Sequence, residues 1–173
     1  NNNRKIMVVG TGVLGSYLSK IYLKSGYKVY VTSRFKKKEY KNFKYINIKN
    51  KVKFLKLDIL NKKDIKKKIK LINPKIIYYF AGQSSITKSY KKVKETISSN
   101  YNGALYFLKI LDESKLNIKF FKANSGYIFK QYGGEKIKFQ KPTNPYIKSQ
   151  VEAFKAVKEY RKRGVSCYSL IFL

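Results

Sequence analysis

Residues 6–15 read Ile6-Met-Val-Val-Gly10-Thr-Gly12-Val-Leu-Gly15, an apolar run that empties into three glycines spaced G-x-G-x-x-G. The run ends at Val9, the glycines turn the chain, and apolar residues then recur at helical spacing: Val13, Leu14, Tyr17, Leu18 and Ile21. In a strand, glycine turn and helix joined this closely, the backbone can approach a pyrophosphate, and the free N–H groups of the first helical turn point at it. Gly10, Thr11, Gly12, Val13, Leu14 and Gly15 are therefore expected to cradle the diphosphate of a dinucleotide.

Outward from this turn, periodicity predicts strands near 5–10, 28–32, 52–57, 75–80, 118–123 and 165–172, and helices near 13–25, 62–72, 92–115 and 144–163. Strands separated by helices imply an α/β fold, a Rossmann-type doubly wound parallel sheet of at least six strands in the order 3-2-1-4-5-6, with helices on both faces. Ser25-Gly26 is expected to cap the first helix, and Asn73-Pro74 to break the chain before the fourth strand. The Lys- and Asn-rich segment 33–51 reads as a loop or short hairpin.

Composition narrows the chemistry. The 173 residues suit one nucleotide-binding domain, include no histidine and hold a single cysteine, Cys167. That excludes His-based acid–base work, a multi-thiolate zinc site and a disulfide framework. No apolar run reaches the length of a membrane span and no signal-peptide pattern opens the chain, so the reading is a soluble cytoplasmic protein. The net charge of +31 invites a nucleic-acid partner, but it comes from 36 Lys against four Arg, and Arg is the side chain that reads guanine edges bidentately. Lys, Asn, Ile, Tyr and Phe, all with A/T-rich codons, make up 94 of the 173 residues, so biased coding accounts for most of the charge. A solvated basic surface is expected, with no specific nucleic-acid site. The ends, without an initiator Met and with an apolar finish at Leu173, read as those of a fragment of a longer chain.

The second predicted strand ends Val31-Thr-Ser33-Arg34 with no acidic residue to hold an adenosine ribose. Arg34 is placed to neutralise a 2′-phosphate, which favours NADP with NAD second, or else it is one more exposed cation. Asp58, after the third strand, either accepts from an adenine amino group or sits at a helix N-terminus.

Several stretches then occur in an order that resembles the extended short-chain dehydrogenases/reductases, the NAD(P)-dependent epimerases and dehydratases of sugar nucleotides. They are Gly10 to Gly15, Asp58-Ile59, Phe80-Ala-Gly-Gln-Ser84, Asn100 with Gly103, Ser125, and Asn144-Pro-Tyr-Ile-Lys-Ser-Gln150. Gly15 to Leu18, Gly26-Tyr27, Ala81 to Ser84 and Phe121 to Ser125 look most like segments of the GDP-mannose 4,6-dehydratases. The resemblance implies that Asp58 and Ile59 flank the adenosine, that Ala81, Gly82 and Gln83 border the nicotinamide side, and that Ser84 and Ser85 meet a sugar-nucleotide substrate. Asn100 would tie the active-site helix to the fourth strand, Ser125 would bond the substrate hydroxyl, and Tyr146 would act as general base. It also implies a homodimer built on helices 92–115 and 144–163.

Three departures stand beside the matches. The family pattern Tyr-x-x-x-Lys reads Tyr146 to Gln150 here, so glutamine takes the place of a cation on the same helical face. Glutamine can bond the nicotinamide ribose but carries no charge, and a phenol with its ordinary pKa of about 10 needs a nearby cation to act as base at neutral pH. Lys148 lies on the far side of the helix. The glutamate that performs elimination in the dehydratases is Tyr127 here, and the first two glycines stand two apart where the family has three. A catalytically impaired, nucleotide-binding relative is therefore the alternative reading. For Tyr146 and Ser125 themselves, the plain alternatives are a packed edge residue and a turn-forming serine.

Overall fold

The computed structural model describes residues 4–34, 40–130 and 138–172. Its principal sheet has six parallel strands in the order β3-β2-β1-β4-β5-β8, the predicted 3-2-1-4-5-6 winding. The strands are β1 (Lys5–Val9), β2 (Lys28–Ser33), β3 (Lys53–Lys56), β4 (Ile76–Tyr79), β5 (Lys119–Ser125) and β8 (Cys167–Phe172). A two-residue antiparallel pair, β6 (Phe129–Lys130) with β7 (Lys138–Phe139), lies outside this sheet.

β1 is apolar at every position from Ile6 to Val9 because both of its faces are covered. Met7 and Val9 enter a core with α3 (Lys62–Ile72), α6 (Gly103–Ser114) and α7 (Pro145–Lys162). Ile6 and Val8 enter a second core roofed by α1 (Val13–Lys24) and α2 (Lys41–Tyr45). Phe107 of α6 and Phe120 of β5 are fully buried with ring centroids 5.9 Å apart, and each contributes about 1.5–3 kcal/mol by burial.

The caps follow the local chemistry. Gly26, with φ +78°, takes the left-handed conformation after α1. Asn61 accepts the Asp64 N–H at the start of α3, and Asn73 (φ 48°) ends that helix before Pro74. Asn144 accepts the Ile147 N–H at 2.8 Å, and Pro145 opens α7 where its missing donor is not needed.

Two sequence expectations need adjustment. The described part of 33–51 holds no hairpin: Lys41–Tyr45 is a short helix followed by a 3₁₀ turn at Lys49–Lys51. Phe43 drives it, buried to 0% exposure with its ring edge-on to Phe54. Residues 35–39 lie outside the described residues, as do 1–3 and Leu173. The helix expected over 92–115 runs as α5 (Val93–Ile97), a five-residue π-helical segment (Ser98–Asn102) and α6, preceded by an unexpected short α4 (Ile86–Lys91).

Candidate active site

The crossover from β1 to its two neighbours leaves a crevice at the carboxyl edge of the sheet, where open α/β sheets bind ligands. Two adjoining cavities of about 390 and 420 Å³ fill it and share Gly12 and the stretch Phe80 to Gln83.

The glycines have distinct reasons to be there. Gly10 holds φ +118°, and a Cβ on it would come within 2.9 Å of the Ala81 nitrogen. A Cβ on Gly15 would lie 2.8 Å from the Gly10 carbonyl oxygen, so this glycine lets α1 start directly against the turn. Gly12 caps the helix and has nothing within 4 Å of the position a Cβ would take. The α1 N-terminus therefore borders the crevice with no side-chain cap at Gly12, and the first N–H groups of a helix have no partner within it, a cradle whose shape and sign suit a diphosphate.

The first cavity carries Gly10, Thr11, Gly12, Arg34 and Ile59 among its lining. Arg34 stands 3.8 Å from Glu95 of α5, both side chains about half exposed, and Lys88 and Lys92 complete this rim. Asp58 is not among the described lining residues: its carboxylate accepts the Leu60 N–H at 2.9 Å within the turn into α3.

The second cavity brings together Val13, Leu14, Gly15, Ser84, Ser125, Tyr146 and Gln150. Asn100, 1% exposed in the π-helical segment, organises its wall. Its Oδ1 accepts the Gln83 N–H at 2.9 Å; its Nδ2 donates to the Gln83 carbonyl at 3.0 Å and to Ser149 Oγ of α7 at 3.1 Å. The extra residue of a π segment turns Asn100 inward to meet all three. Ser125 lies at the end of β5, lines the cavity and accepts the Tyr127 N–H, so it is at once a cavity and a turn residue. Ser85 is not among the described lining residues; its Oγ accepts the Lys88 N–H and caps α4.

Tyr146 is 7% exposed in the first turn of α7, packed with Ile128, Ile147 and Val151 while still lining the cavity. Gln150, one turn on, is held by Asn124, whose Nδ2 donates to its carbonyl at 2.9 Å and to its Oε1 at 3.2 Å. Lys148 is exposed, as its place on the helix requires. Tyr127 is 65% exposed and is not among the described lining residues. Lining residues that the sequence does not single out include Lys88, Lys92 and Glu95 at the first cavity and Asn124 and Lys122 at the second; Lys122 of β5 is 2% exposed, and its amine is pushed down to about 7 by burial.

The sequence profile of the GDP-mannose 4,6 dehydratase family matches residues 7–172. The chain belongs to that family. Solved structures share its fold at low identity. A UDP-glucose 4-epimerase from Brucella ovis in complex with NAD is 19% identical, with a TM-score of 0.80, over 97% of this chain and 51% of that one. A dTDP-glucose 4,6-dehydratase from Streptomyces venezuelae with NAD bound is 17% identical, with a TM-score of 0.81, over 96% of this chain and 55% of that one. An L-threonine dehydrogenase from Clostridium difficile is 24% identical, with a TM-score of 0.80, over 99% and 54%. The chain thus spans about half the length of these neighbours. Among the described residues no helix is long and apolar enough to cross a membrane.

Proposed function

We propose that this chain is the nucleotide-binding part of an NAD(P)-dependent enzyme that modifies sugar nucleotides through a 4-keto sugar, by epimerase, dehydratase or reductase chemistry. The observation that carries the reading is the meeting of Ser125, Tyr146, Gln150 and the Asn100-ordered loop at one cavity, directly against the open helix N-terminus at Gly12.

In this reading the N–H groups of Gly12 to Leu14 hold the cofactor diphosphate, Ile59 packs on the adenosine side, and Ala81 to Gln83 border the nicotinamide. When bound, the nicotinamide supplies a site to which hydride is passed and from which it is returned. Ser125 positions the sugar hydroxyl, Tyr146 shares in moving its proton, and Gln150 bonds the ribose. Arg34, with Lys88 and Lys92, favours a 2′-phosphate, whereas Glu95 opposes one; the Brucella and Streptomyces neighbours hold NAD. Because Tyr127 occupies the glutamate's place and faces solvent, epimerisation or keto-reduction fits better than elimination. A homodimer through α6 and α7 belongs to the same proposal.

A second reading has its own observation. Gln150 is neutral and anchored by Asn124, so the chain keeps the nucleotide site with impaired turnover. Isothermal titration with NADH and NADPH, followed by spectroscopic detection of bound-cofactor reduction by GDP-, UDP- and dTDP-sugars, separates the two: binding with reduction supports the enzyme, binding without it the impaired relative, and absence of binding rejects both.

A further inference from the structure

Strand alternation turns Phe120, Lys122 and Asn124 of β5 toward the same core face, and Phe120 is fully buried there. Lys122 is thus a lysine in a position built for an apolar side chain. Among the described residues no carboxylate pairs with it, and an ammonium taken out of water without a counter-charge carries a large desolvation penalty. Methionine or leucine would fill the place without it.

The surroundings are polar on the cavity side. Tyr79 of β4 and Ser169 of β8 flank Lys122 in register on either side, and Nζ lies 5.7 Å from the Tyr79 ring centroid. Nζ donates to the Ala123 carbonyl. Two more oxygens beside it, Asn124 Oδ1 and Ser169 Oγ, are buried and have no hydrogen-bond partner among the described residues. Buried acceptors left in this way need an explanation, and seats for the second and third protons of an ammonium are one. The elements packed over this stretch present phenols and one thiol as their titratable groups: Tyr79 of β4, Tyr146 of α7 across the cavity, and Cys167, two register pairs back on β8 opposite Phe120, donating to the Val157 carbonyl. α6 contributes apolar Ala104 and Phe107 to the same core.

We propose that Lys122 is a proton acceptor of this site, its neutral amine taking up the proton that a hydroxyl at the Ser125–Tyr146 end of the cavity releases. The inference rests on the reading of the cavity as the place where a sugar hydroxyl is oxidised. The amine lone pair forms the new N–H bond and the O–H bond breaks with its electron pair left on oxygen; the ammonium so formed keeps its bond to the Ala123 carbonyl, and a small turn of the side chain toward Asn124 Oδ1 and Ser169 Oγ would seat its other protons. Burial sets the amine near 7, so it is free to accept a proton just above neutrality, where an ordinary lysine is fully charged. This supplies at β5 an acid–base group where Gln150 on α7, a neutral amide, has none to offer.

The test is an NMR titration of the protein carrying [ε-13C]lysine, with the resonance assigned by Lys122→Met and, should that variant fold poorly, by Lys122→Arg. Lys122 is expected to titrate near pH 7, well below the surface lysines. Ser125→Asp, which sets a carboxylate in the cavity that Lys122 also lines, is expected to raise that midpoint by about one unit. A Lys122 midpoint among the surface lysines, or one indifferent to Ser125→Asp, overturns the proposal whatever the protein does with cofactor. In the cofactor-loaded protein, the acid limb near pH 7 in the reduction of bound NAD(P) by sugar nucleotide is expected to vanish in Lys122→Met, with at least about a tenfold loss at pH 7.5; an unchanged limb also overturns it. Failure to bind any dinucleotide rejects the proposed function separately, and leaves the two titrations to decide the place of Lys122.

Discussion

Asn100 Nδ2 and Ser149 Oγ lie 3.1 Å apart although 49 residues separate them in the chain. That bond, with the two from Asn100 to Gln83, pins the loop after β4 to the helix that carries Tyr146. The wall of the second cavity is therefore one polar network, and its parts move together or not at all.

Asn100→Ala leaves the Gln83 amide groups and Ser149 without their partner in a region closed to most solvent. The expected loss of stability is about 2–3 kcal/mol, read as a lowered urea midpoint at unchanged slope. A variant as stable as the parent would mean that the network is decorative.

The Arg34–Glu95 pair predicts the balance between the two dinucleotides. Arg34→Ser is expected to weaken NADPH by about tenfold while leaving NADH within about twofold, and Glu95→Gln to move NADPH the other way. Competition titrations of both cofactors against each variant measure the ratio; parallel changes in the two affinities would remove Arg34 from the specificity argument.

Gln150→Lys restores a cation on the face of α7 that bears Tyr146. Sugar-nucleotide-dependent reduction of bound cofactor at pH 7.5 is expected to rise by about tenfold or more. Turnover that is brisk in the parent and unaltered by the substitution would show that the phenol does not depend on charge from position 150.

Much of this arrangement is written in the residues, and the exceptions have physical causes. The parallel sheet follows from apolar runs such as Ile6–Val9, and the start of α7 from Asn144-Pro145, because both signals are local. α4 is too short, at six residues, for a helical period to emerge. The π-helical segment exists because Asn100 finds three partners, two on the Gln83 loop and one on α7, that only the folded chain assembles. The bond from the Leu60 N–H to the Asp58 carboxylate forms only once the chain turns into α3. Lys122 was hidden among 36 lysines; its signal was the alternation of Phe120, Lys122 and Asn124, a charge at a core-facing register position.

Lys122 also makes stability depend on pH. Its folded-state pKa is depressed to about 7 from 10.5, so between those values the unfolded chain binds a proton that the native chain does not. Stability therefore rises with pH from about 7 toward 10, and the penalty is full below 7. Lys122→Met is expected to be more stable than the parent at pH 6.5, by a few kcal/mol at most, with the difference shrinking toward pH 9.5. Urea unfolding at intervals across that range gives the difference directly; a constant offset would mean that the lysine stays charged in the fold.

The N-terminus of α1 at Gly12 is the proposed seat of a dinucleotide diphosphate. Calorimetric titration of the parent protein and of Gly12→Asp with NADH and NADPH tests it most directly, because a side chain at position 12 has free space and leaves the fold intact. The account predicts saturable one-to-one binding to the parent and at least about a hundredfold loss in Gly12→Asp, from carboxylate repulsion at the diphosphate seat. Equal affinity in the two proteins, or no heat from either cofactor with the parent, would contradict it.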